Sequence, residues 1–252
     1  MLAGETLAYF PPFVETTLAL RLGVVHEDDD LLVLHKPPGL AVHRGPLVRD
    51  SVAERLEKAF PGSGLAHRLD RGASGLLLVG KNGETLRSLA AAVEERRVER
   101  VYLAVVLGAI EGERVIDVPL RILDEPMGDA PKAVPDSSGL PARTLVRSLE
   151  RLRDCTLVEA RLETGRTHQI RAHLKAIGHP ILGDPRYGDP AANARARETH
   201  GIARPLLHAH RLAFDHPRTG EHLSFEAARE PDFERLVTET RSGGGEEAGR
   251  GS

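Results

Sequence analysis

A carboxylate flanked by arginines is the feature of this 252-residue sequence best suited to chemistry. Asp70 lies in residues 67–75 (HRLDRGASG), with Arg71 beside it and Arg68 two positions earlier. Two guanidinium groups and a tight turn would keep the carboxylate ionised and available as a nucleophile. The same residues could instead form a salt-bridged turn that caps the following strand, or bind the phosphates of an RNA backbone.

Polar donors crowd a second segment, residues 164–173 (TGRTHQIRAH), at the start of a predicted helix. The donors are Arg166, His168, Gln169, Arg171 and His173. Free backbone N–H groups and the helix dipole attract anions to a helix N-terminus, so this segment predicts an anion-binding turn. Ordinary helix capping with solvated side chains is the alternative.

Residues 75–82 (GLLLVGKN) come close to a nucleotide-binding phosphate loop. Asn82 stands where that loop needs a Ser or Thr hydroxyl for Mg²⁺, and residues 76–79 are too apolar for a backbone that cradles phosphates. We therefore interpret this segment as a buried strand followed by a turn.

The 12 histidines raise the question of a metal site. His168 and His173 are five positions apart without an adjacent Glu, which does not match the spacing of a helical zinc site. His208 and His210 would share one face of a strand and could bind a metal, although hydrogen-bonded histidines are far commoner. A metal-dependent hydrolase is therefore the lowest-ranked hypothesis, and we expect no metal.

Composition narrows the class of protein. The chain is 40% hydrophobic and 28% charged, it contains one cysteine, Cys155, and it has no apolar run long enough to span a membrane. A single cysteine excludes an internal disulfide and fits a reducing compartment, so we expect a cytoplasmic protein without membrane attachment.

The net charge of −3 argues against a nucleic-acid partner only until its distribution is considered. Residues 221–252 contain eight acidic and four basic residues, and four more acids lie in residues 27–30. Residues 68–81 and 161–175 are net positive. Local charge decides where a polyanion binds, so these two segments are the predicted RNA-facing surface.

Hydrophobic periodicity and turn residues predict the elements that position these groups. We expect strands over residues 31–34, 75–79, 101–106 and 156–162. We expect helices beginning at residue 51, over 84–97, over 167–177 and from about 231. Residues 112–141 and 189–205 are expected to be mainly loops. The absence of strict strand–helix alternation predicts an α+β fold around a mixed, mainly antiparallel sheet with flanking helices.

Five segments, taken in order, resemble the RluA-type family of pseudouridine synthases across residues 24 to about 228. They are residues 25–43, 67–78, 100–104, 162–184 and 207–221. The resemblance implies the pseudouridine synthase catalytic fold with a central RNA-binding cleft. It also implies isomerisation of uridine to pseudouridine in RNA, without a cofactor or a catalytic metal.

The resemblance also assigns roles to residues. Asp70 is the expected catalytic carboxylate, Arg171 its partner, and Tyr102 the ring that stacks on the uracil. The expected substrate-binding residues are Arg68, His67, Leu69, Arg166 and His168. A non-catalytic RNA-binding protein with the same fold is the alternative, but binding alone would not require Asp70, Tyr102 and Arg171 together.

The expected organisation is an irregular N-terminal extension (1–23), a catalytic domain (24–241) and a disordered tail (242–252). The segment before residue 24 is too short for the S4 RNA-binding domain of many relatives, so the chain resembles the compact members. Ala73 replaces a threonine that is frequent in the family. The expected substrate is ribosomal RNA, transfer RNA or both, bound by a monomer that needs no protein partner.

Overall fold

The computed structural model describes residues 8–9, 20–45, 48, 50–123 and 131–241. The strands are β1 (Ala8–Tyr9), β2 (Gly23–Glu27), β3 (Leu31–Lys36), β4 (Gly64–Leu65), β5 (Ser74–Gly80), β6 (Glu99–Leu107), β7 (Glu113–Asp117), β8 (Leu120–Leu123), β9 (Lys132–Pro135), β10 (Arg143–Arg151), β11 (Cys155–Leu162), β12 (Leu207–Asp215) and β13 (His222–Glu226). The helices are α1 (Val52–Ala59), α2 (Gly83–Glu94), α3 (Gln169–Ala176), α4 (Pro190–His200) and α5 (Pro231–Arg241).

One large sheet organises the molecule, with the strand order β2-β3-β5-β12-β6-β11-β10-β7. β4 adds to β5, while β13 pairs with β12 and β1; β8 and β9 form a separate hairpin. The β12–β5 and β1–β13 pairs are parallel and the other strand pairs are antiparallel. The expected α+β fold with a mainly antiparallel sheet is confirmed.

The central strands are the most apolar because both of their faces are covered. All seven residues of β5 are buried, as are the seven interior residues of β6. The helices begin where the capping residues indicate: Ser51 accepts a hydrogen bond from the Glu54 N–H, and Asn82 accepts from two N–H groups in the first turn of α2. The segment that resembled a phosphate loop is therefore β5 followed by a helix cap, as interpreted.

The parallel contact between β5 and β12 brings the loop before β5, residues 67–73, to the middle of the sheet. Gly75 pairs with Ala209 there. Its φ is +107°, and a Cβ at this position would lie 2.2 Å from the Ala209 carbonyl oxygen. Only glycine fits this backbone approach, which fixes where β5 starts and where the preceding loop lies.

Two segments expected to be loops contain regular structure. Residues 112–141 include β7, β8 and β9, and residues 189–205 include α4. β7 has one buried residue, Ile116, and α4 buries only Ala192 and Ala196, so neither has a strong apolar pattern. Asp189 and Gly201 nevertheless cap the two ends of α4, and Pro190 occupies its first turn.

The packed core begins before residue 24. Leu20 and Leu22 are buried in the main apolar cluster, and β1 pairs with β13 in parallel. The predicted tail, residues 242–252, lies outside the described residues. Within the described ranges, no helix combines the length and the apolar character that crossing a membrane requires.

Candidate active site

A cleft of about 510 Å³ lies between the loop before β5, the middle of β6 and the start of α3. Eight residues predicted from the sequence line it: His67, Arg68, Leu69, Asp70, Tyr102, Arg166, His168 and Arg171. Exposed Arg68, Arg96 and Arg166 form the part of its border that we call the arginine rim. The structure thus brings together side chains that are up to about a hundred positions apart.

The loop that carries Asp70 is fixed on both sides of the carboxylate. The Leu78 N–H donates to His67 Nε2 at 3.2 Å, and Leu69 is buried in the main core. The Ala73 N–H donates to the Asp70 carbonyl at 3.1 Å, which closes a turn. Since its neighbours are anchored, Asp70 can present its carboxylate to the cleft, where 17% of the side chain is exposed.

Lys36, the last residue of β3, holds this loop through hydrogen bonds to backbone carbonyls. Its buried Nζ lies within hydrogen-bonding distance of the carbonyls of Pro37, Leu40 and Arg71, at 2.9, 3.0 and 3.3 Å. Burial lowers the pKa of Lys36 to about 7, a shift that the nearby Asp70 charge opposes. Lys36, at the end of β3, therefore supports the loop that carries Asp70 without lining the cleft.

Arg171 is the guanidinium that pairs with Asp70. Its Nη1 lies 3.0 Å from Asp70 Oδ2, while Nε and Nη2 donate to the two oxygens of Asp184 at 2.6 and 2.8 Å. Arg171 is 7% exposed and Asp184 is fully buried. Burial alone would raise the pKa of Asp184, but the hydrogen bonds from Arg171 hold it below its usual range.

The arginines next to Asp70 in sequence do not pair with it, contrary to the first expectation. Arg71 turns away and donates from Nε to the Gly39 carbonyl at 2.9 Å. Arg68 is exposed on the rim of the cleft. Adjacent residues in an extended loop point in different directions, so the counterion of Asp70 comes from α3, a hundred residues later.

His168 forms the side of the cleft next to Asp70. Its Nε2 lies 3.8 Å from Asp70 Oδ1, and its Nδ1 lies 3.1 Å from the Tyr187 hydroxyl. Tyr187 also places its ring 4.8 Å from the Arg171 guanidinium carbon. Burial lowers the pKa of His168 although Asp70 opposes the shift, so the ring is neutral near pH 7. Sequence reasoning gave no role to Tyr187 or Asp184.

Two of the donors predicted for the anion-binding turn at α3 are bonded within the protein. Gln169 is buried, and its side chain bonds to Thr164, Arg166 N–H, the Arg143 carbonyl and Thr144. His173 is buried between Thr144 and the Val118 carbonyl. These two side chains fasten α3 to β10 and the segment before β8, which leaves Arg166 and His168 as the donors available to a ligand.

Tyr102 lies on the face of β6 that points into the main core and the cleft. It is 5% exposed, and burial raises the pKa of its hydroxyl, so the ring is a neutral, flat surface. Such a surface at the bottom of a cleft can stack on a planar ligand.

The paired histidines on β12 are held by hydrogen bonds within the protein. His208 lies 2.9 Å from Ser74 Oγ through Nδ1, and both His208 and His210 contact the Ala227 carbonyl. Among the described residues, the group with metal-ligating geometry is Asp28, Asp30 and His216. The two carboxylates belong to residues 27–30, and His216 Nε2, from the turn after β12, lies 3.3 and 3.7 Å from them.

Lys81 does not contribute to the cleft, although residues 68–81 were expected to face RNA. It lies at the end of β5 remote from Asp70, where its Nζ bonds to Glu27 Oε1 and the Asp28 carbonyl at 3.0 and 2.7 Å. The acidic segment, residues 27–30, thus neutralises this lysine, and the exposed positive charge at the cleft comes from the arginine rim.

The fold and the cleft define an α+β protein that combines an arginine-bound carboxylate and an aromatic wall beneath a rim of arginines. Residues 30–176 match the family model described as RNA pseudouridylate synthase. The chain is 38% identical over 248 residues to ribosomal large subunit pseudouridine synthase D of Neisseria meningitidis serogroup A, which covers 94% of this chain and 64% of that protein. The chain belongs to the RNA pseudouridylate synthase family.

Two further comparisons agree. Ribosomal large subunit pseudouridine synthase C of Vibrio cholerae is 40% identical over 222 residues, covering 86% of this chain and 69% of that protein. The structure of human RNA pseudouridylate synthase domain containing 1 superposes with a TM-score of 0.68 at 27% identity, covering 91% of this chain and 98% of that one. The expected resemblance to RluA-type enzymes and the expected fold are confirmed. This chain spans slightly less than two thirds of the Neisseria protein.

Proposed function

We propose that this protein isomerises specific uridines to pseudouridine in ribosomal RNA, transfer RNA or both, with Asp70 as the catalytic carboxylate. The observation that carries the proposal is the Asp70–Arg171 pair, which faces a cleft whose wall is Tyr102. Family membership and the names of the relatives, which act on the ribosomal large subunit, support the same reaction.

The reaction breaks the bond between C1′ and N1, turns the uracil and joins C5 to C1′. Two routes are open to Asp70: attack on the sugar, or removal of a sugar proton. Both need an ionised carboxylate, which Arg171 stabilises by charge and hydrogen bonding. Tyr102 stacks on the detached uracil and lets it turn in its own plane without leaving the cleft.

The target atom is inaccessible in a stacked helix, so the nucleotide has to flip into the cleft. Arg68 is exposed on the rim two positions from Asp70, and we assign it to the gap that the flipped base leaves in the RNA. His67 and Leu69 shape the loop, while Arg166 and His168 contact the bound nucleotide.

We further propose that the protein acts as a monomer in the cytoplasm. One chain supplies all eight proposed site residues, so the reaction requires no second subunit. The single cysteine, Cys155, is free and buried, which suits a reducing compartment.

Mapping pseudouridines in total RNA from cells with and without the gene tests the function and identifies the target. A pseudouridine that disappears without the gene should return with the wild-type protein and stay absent with Asp70→Asn. We expect Asp70→Asn to lower the rate by at least about 10⁴-fold, the scale for loss of an essential catalytic side chain. Asp215→Asn, an exposed control, should restore the modification. Restoration by Asp70→Asn would refute the assignment and favour a non-catalytic RNA-binding role.

A further inference from the structure

Arg100 is a buried cation in the cleft that sequence reasoning did not assign to any function. It lies two positions before Tyr102 on β6 and pairs with Leu212 of β12. Side chains two apart on a strand project from the same face, so Arg100 and Tyr102 face the cleft together. Arg100 is 7% exposed.

No acceptor satisfies Arg100 among the residues that the structure describes. Its Nε is buried without a hydrogen-bond partner, and none of the described carboxylates forms an ion pair with it. Glu99, the adjacent acid, pairs instead with Arg161 and Arg211. A buried guanidinium nitrogen without an acceptor or a counterion is costly, and a negatively charged ligand in the cleft would supply both.

A second unpaired donor lies on the same wall. His67 Nε2 accepts the Leu78 N–H, which leaves the proton of the neutral ring on Nδ1. That Nδ1 is buried and makes no hydrogen bond of normal geometry in the described structure, although the Arg68 backbone interacts with the ring. Burial, and next the charge of Arg100, lower the pKa of His67 to about 3, so the ring stays neutral and Nδ1 remains a donor.

Gly165 leaves room for the guanidinium at the turn before α3. A Cβ at this position would lie 3.0 Å from Arg100 Nη1. The cleft wall therefore brings a strand arginine against a side-chain-free backbone turn, and Arg100 Nε on this wall has no hydrogen-bond acceptor among the described residues. An oxyanion is the kind of ligand that would accept hydrogen bonds from this guanidinium and balance its charge.

We propose that Arg100 binds a phosphodiester group of the nucleotide whose base stacks on Tyr102. The inference rests on the proposed function and adds a contact to it. The Cα atoms of Arg100 and Tyr102 are separated by about 6.6 Å of strand, a span comparable to that from a base across its sugar to the phosphate. Asp70 faces the sugar, Tyr102 the base and Arg100 the phosphate.

Binding of uridine 3′,5′-bisphosphate and of uridine tests the assignment without any need for turnover. We expect the wild-type protein to bind the bisphosphate at least about 10-fold more tightly than uridine, because a charged hydrogen bond is worth about that factor. Arg100→Gln should reduce this preference to less than about 3-fold, and Arg100→Lys should keep part of it. Arg211→Gln, on the neighbouring strand and bound to Glu99, should leave the preference unchanged.

The stability of Arg100→Gln distinguishes ligand binding from a structural role. Removal of an unpaired buried charge should leave the free energy of unfolding unchanged or raise it. Lower stability with an unaltered bisphosphate preference would overturn the proposal, as would inorganic phosphate binding as tightly as the bisphosphate. If the preference depends on Arg100 but RNA is not isomerised, the phosphate site stands and the proposed function fails.

Discussion

The Arg171 guanidinium donates two hydrogen bonds to the buried Asp184 carboxylate, at 2.6 and 2.8 Å. Only Nη1 then remains for Asp70, at 3.0 Å. The bidentate pair fixes the plane of the guanidinium and hence the direction from which it approaches the reactive carboxylate. Asp184 is therefore a positioning residue that acts through Arg171.

Asp184→Asn tests this positioning role. The carboxamide keeps the shape but loses the charge and one acceptor, so Arg171 loses its orientation. We expect the single-turnover rate to fall by about 10- to 100-fold, as when groups that orient a reactive site are removed, and the free energy of unfolding to fall by about 3–5 kcal/mol, as for a broken buried ion pair.

Asp232→Asn is the matched control for Asp184→Asn. Asp232 forms the same bidentate pair with Arg204, at 2.7 and 2.6 Å, and neither residue lines the cleft. It should lower stability without a comparable loss of rate. Equal rate losses in the two variants would show that destabilisation, and not positioning, explains the effect.

The sequence predicted the central strands, because residues 31–34 and 75–79 are continuous apolar runs in strands buried on both faces. It did not predict β7 or α4, whose few buried residues leave no periodic pattern. Caps were still present at Asp189 and Gly201, and they were the signal that could have identified α4.

Some residues of the candidate site could be predicted from the sequence and others could not. Asp70, Tyr102 and Arg171 occur in motifs that resemble a family, so their sequence context indicated them. Asp184 matters through a contact with a side chain 13 positions earlier across a helix end, and Arg100 through the partners it lacks. Such features depend on the packing of separate elements, which local spacing does not encode.

Tyr102 variants test the stacking surface. Tyr102→Phe keeps the flat ring, and we expect its rate to stay within a few-fold of the wild-type rate. Tyr102→Ala removes the ring, and a lost base–aromatic contact of about 1–3 kcal/mol corresponds to roughly 5- to 150-fold weaker substrate binding or turnover. The measurement is the single-turnover rate at RNA concentrations below saturation, where weaker binding and slower turnover both lower the rate; equal rates for all three proteins would eliminate the stacking role.

Buried neutral histidines predict how stability depends on pH. Burial, reinforced by His35, lowers the pKa of His208 to about 3, and burial has the same effect on His67. Between pH 6.5 and about 3 the unfolded chain binds a proton at each position that the folded protein does not. Stability therefore falls as the pH decreases from 6.5, with a limiting slope of about 1.4 kcal/mol per pH unit for each histidine.

His208→Gln should remove one such contribution. Urea unfolding at pH 6.5 to 5, above the range in which most carboxylates titrate, should give an average pH slope smaller by about 1.1 kcal/mol per unit than that of the wild type, because the unfolded histidine is only half protonated at pH 6.5. His222→Gln changes a histidine that is 59% exposed and should leave the slope unaltered. An unchanged slope in His208→Gln would show that His208 does not stay neutral in the folded protein.

Salt dependence tests the arginine rim as the surface that binds RNA. A rim arginine that neutralises one phosphate releases counterions, so each contact adds about 0.7 to 0.9 to the slope of log affinity against log salt. Arg68→Ala should weaken RNA binding and reduce that slope by about this amount.

Arg218→Ala is the control, because Arg218 is bound to Asp30 in the acidic segment, residues 27–30. Removal of Arg218 should leave the slope unchanged. A protein whose net charge is −3 can bind RNA in this way because its acid-rich segments, residues 27–30 and the described residues 221–241, do not line the cleft. Salt-independent affinity of the wild-type protein would contradict electrostatic binding at the rim.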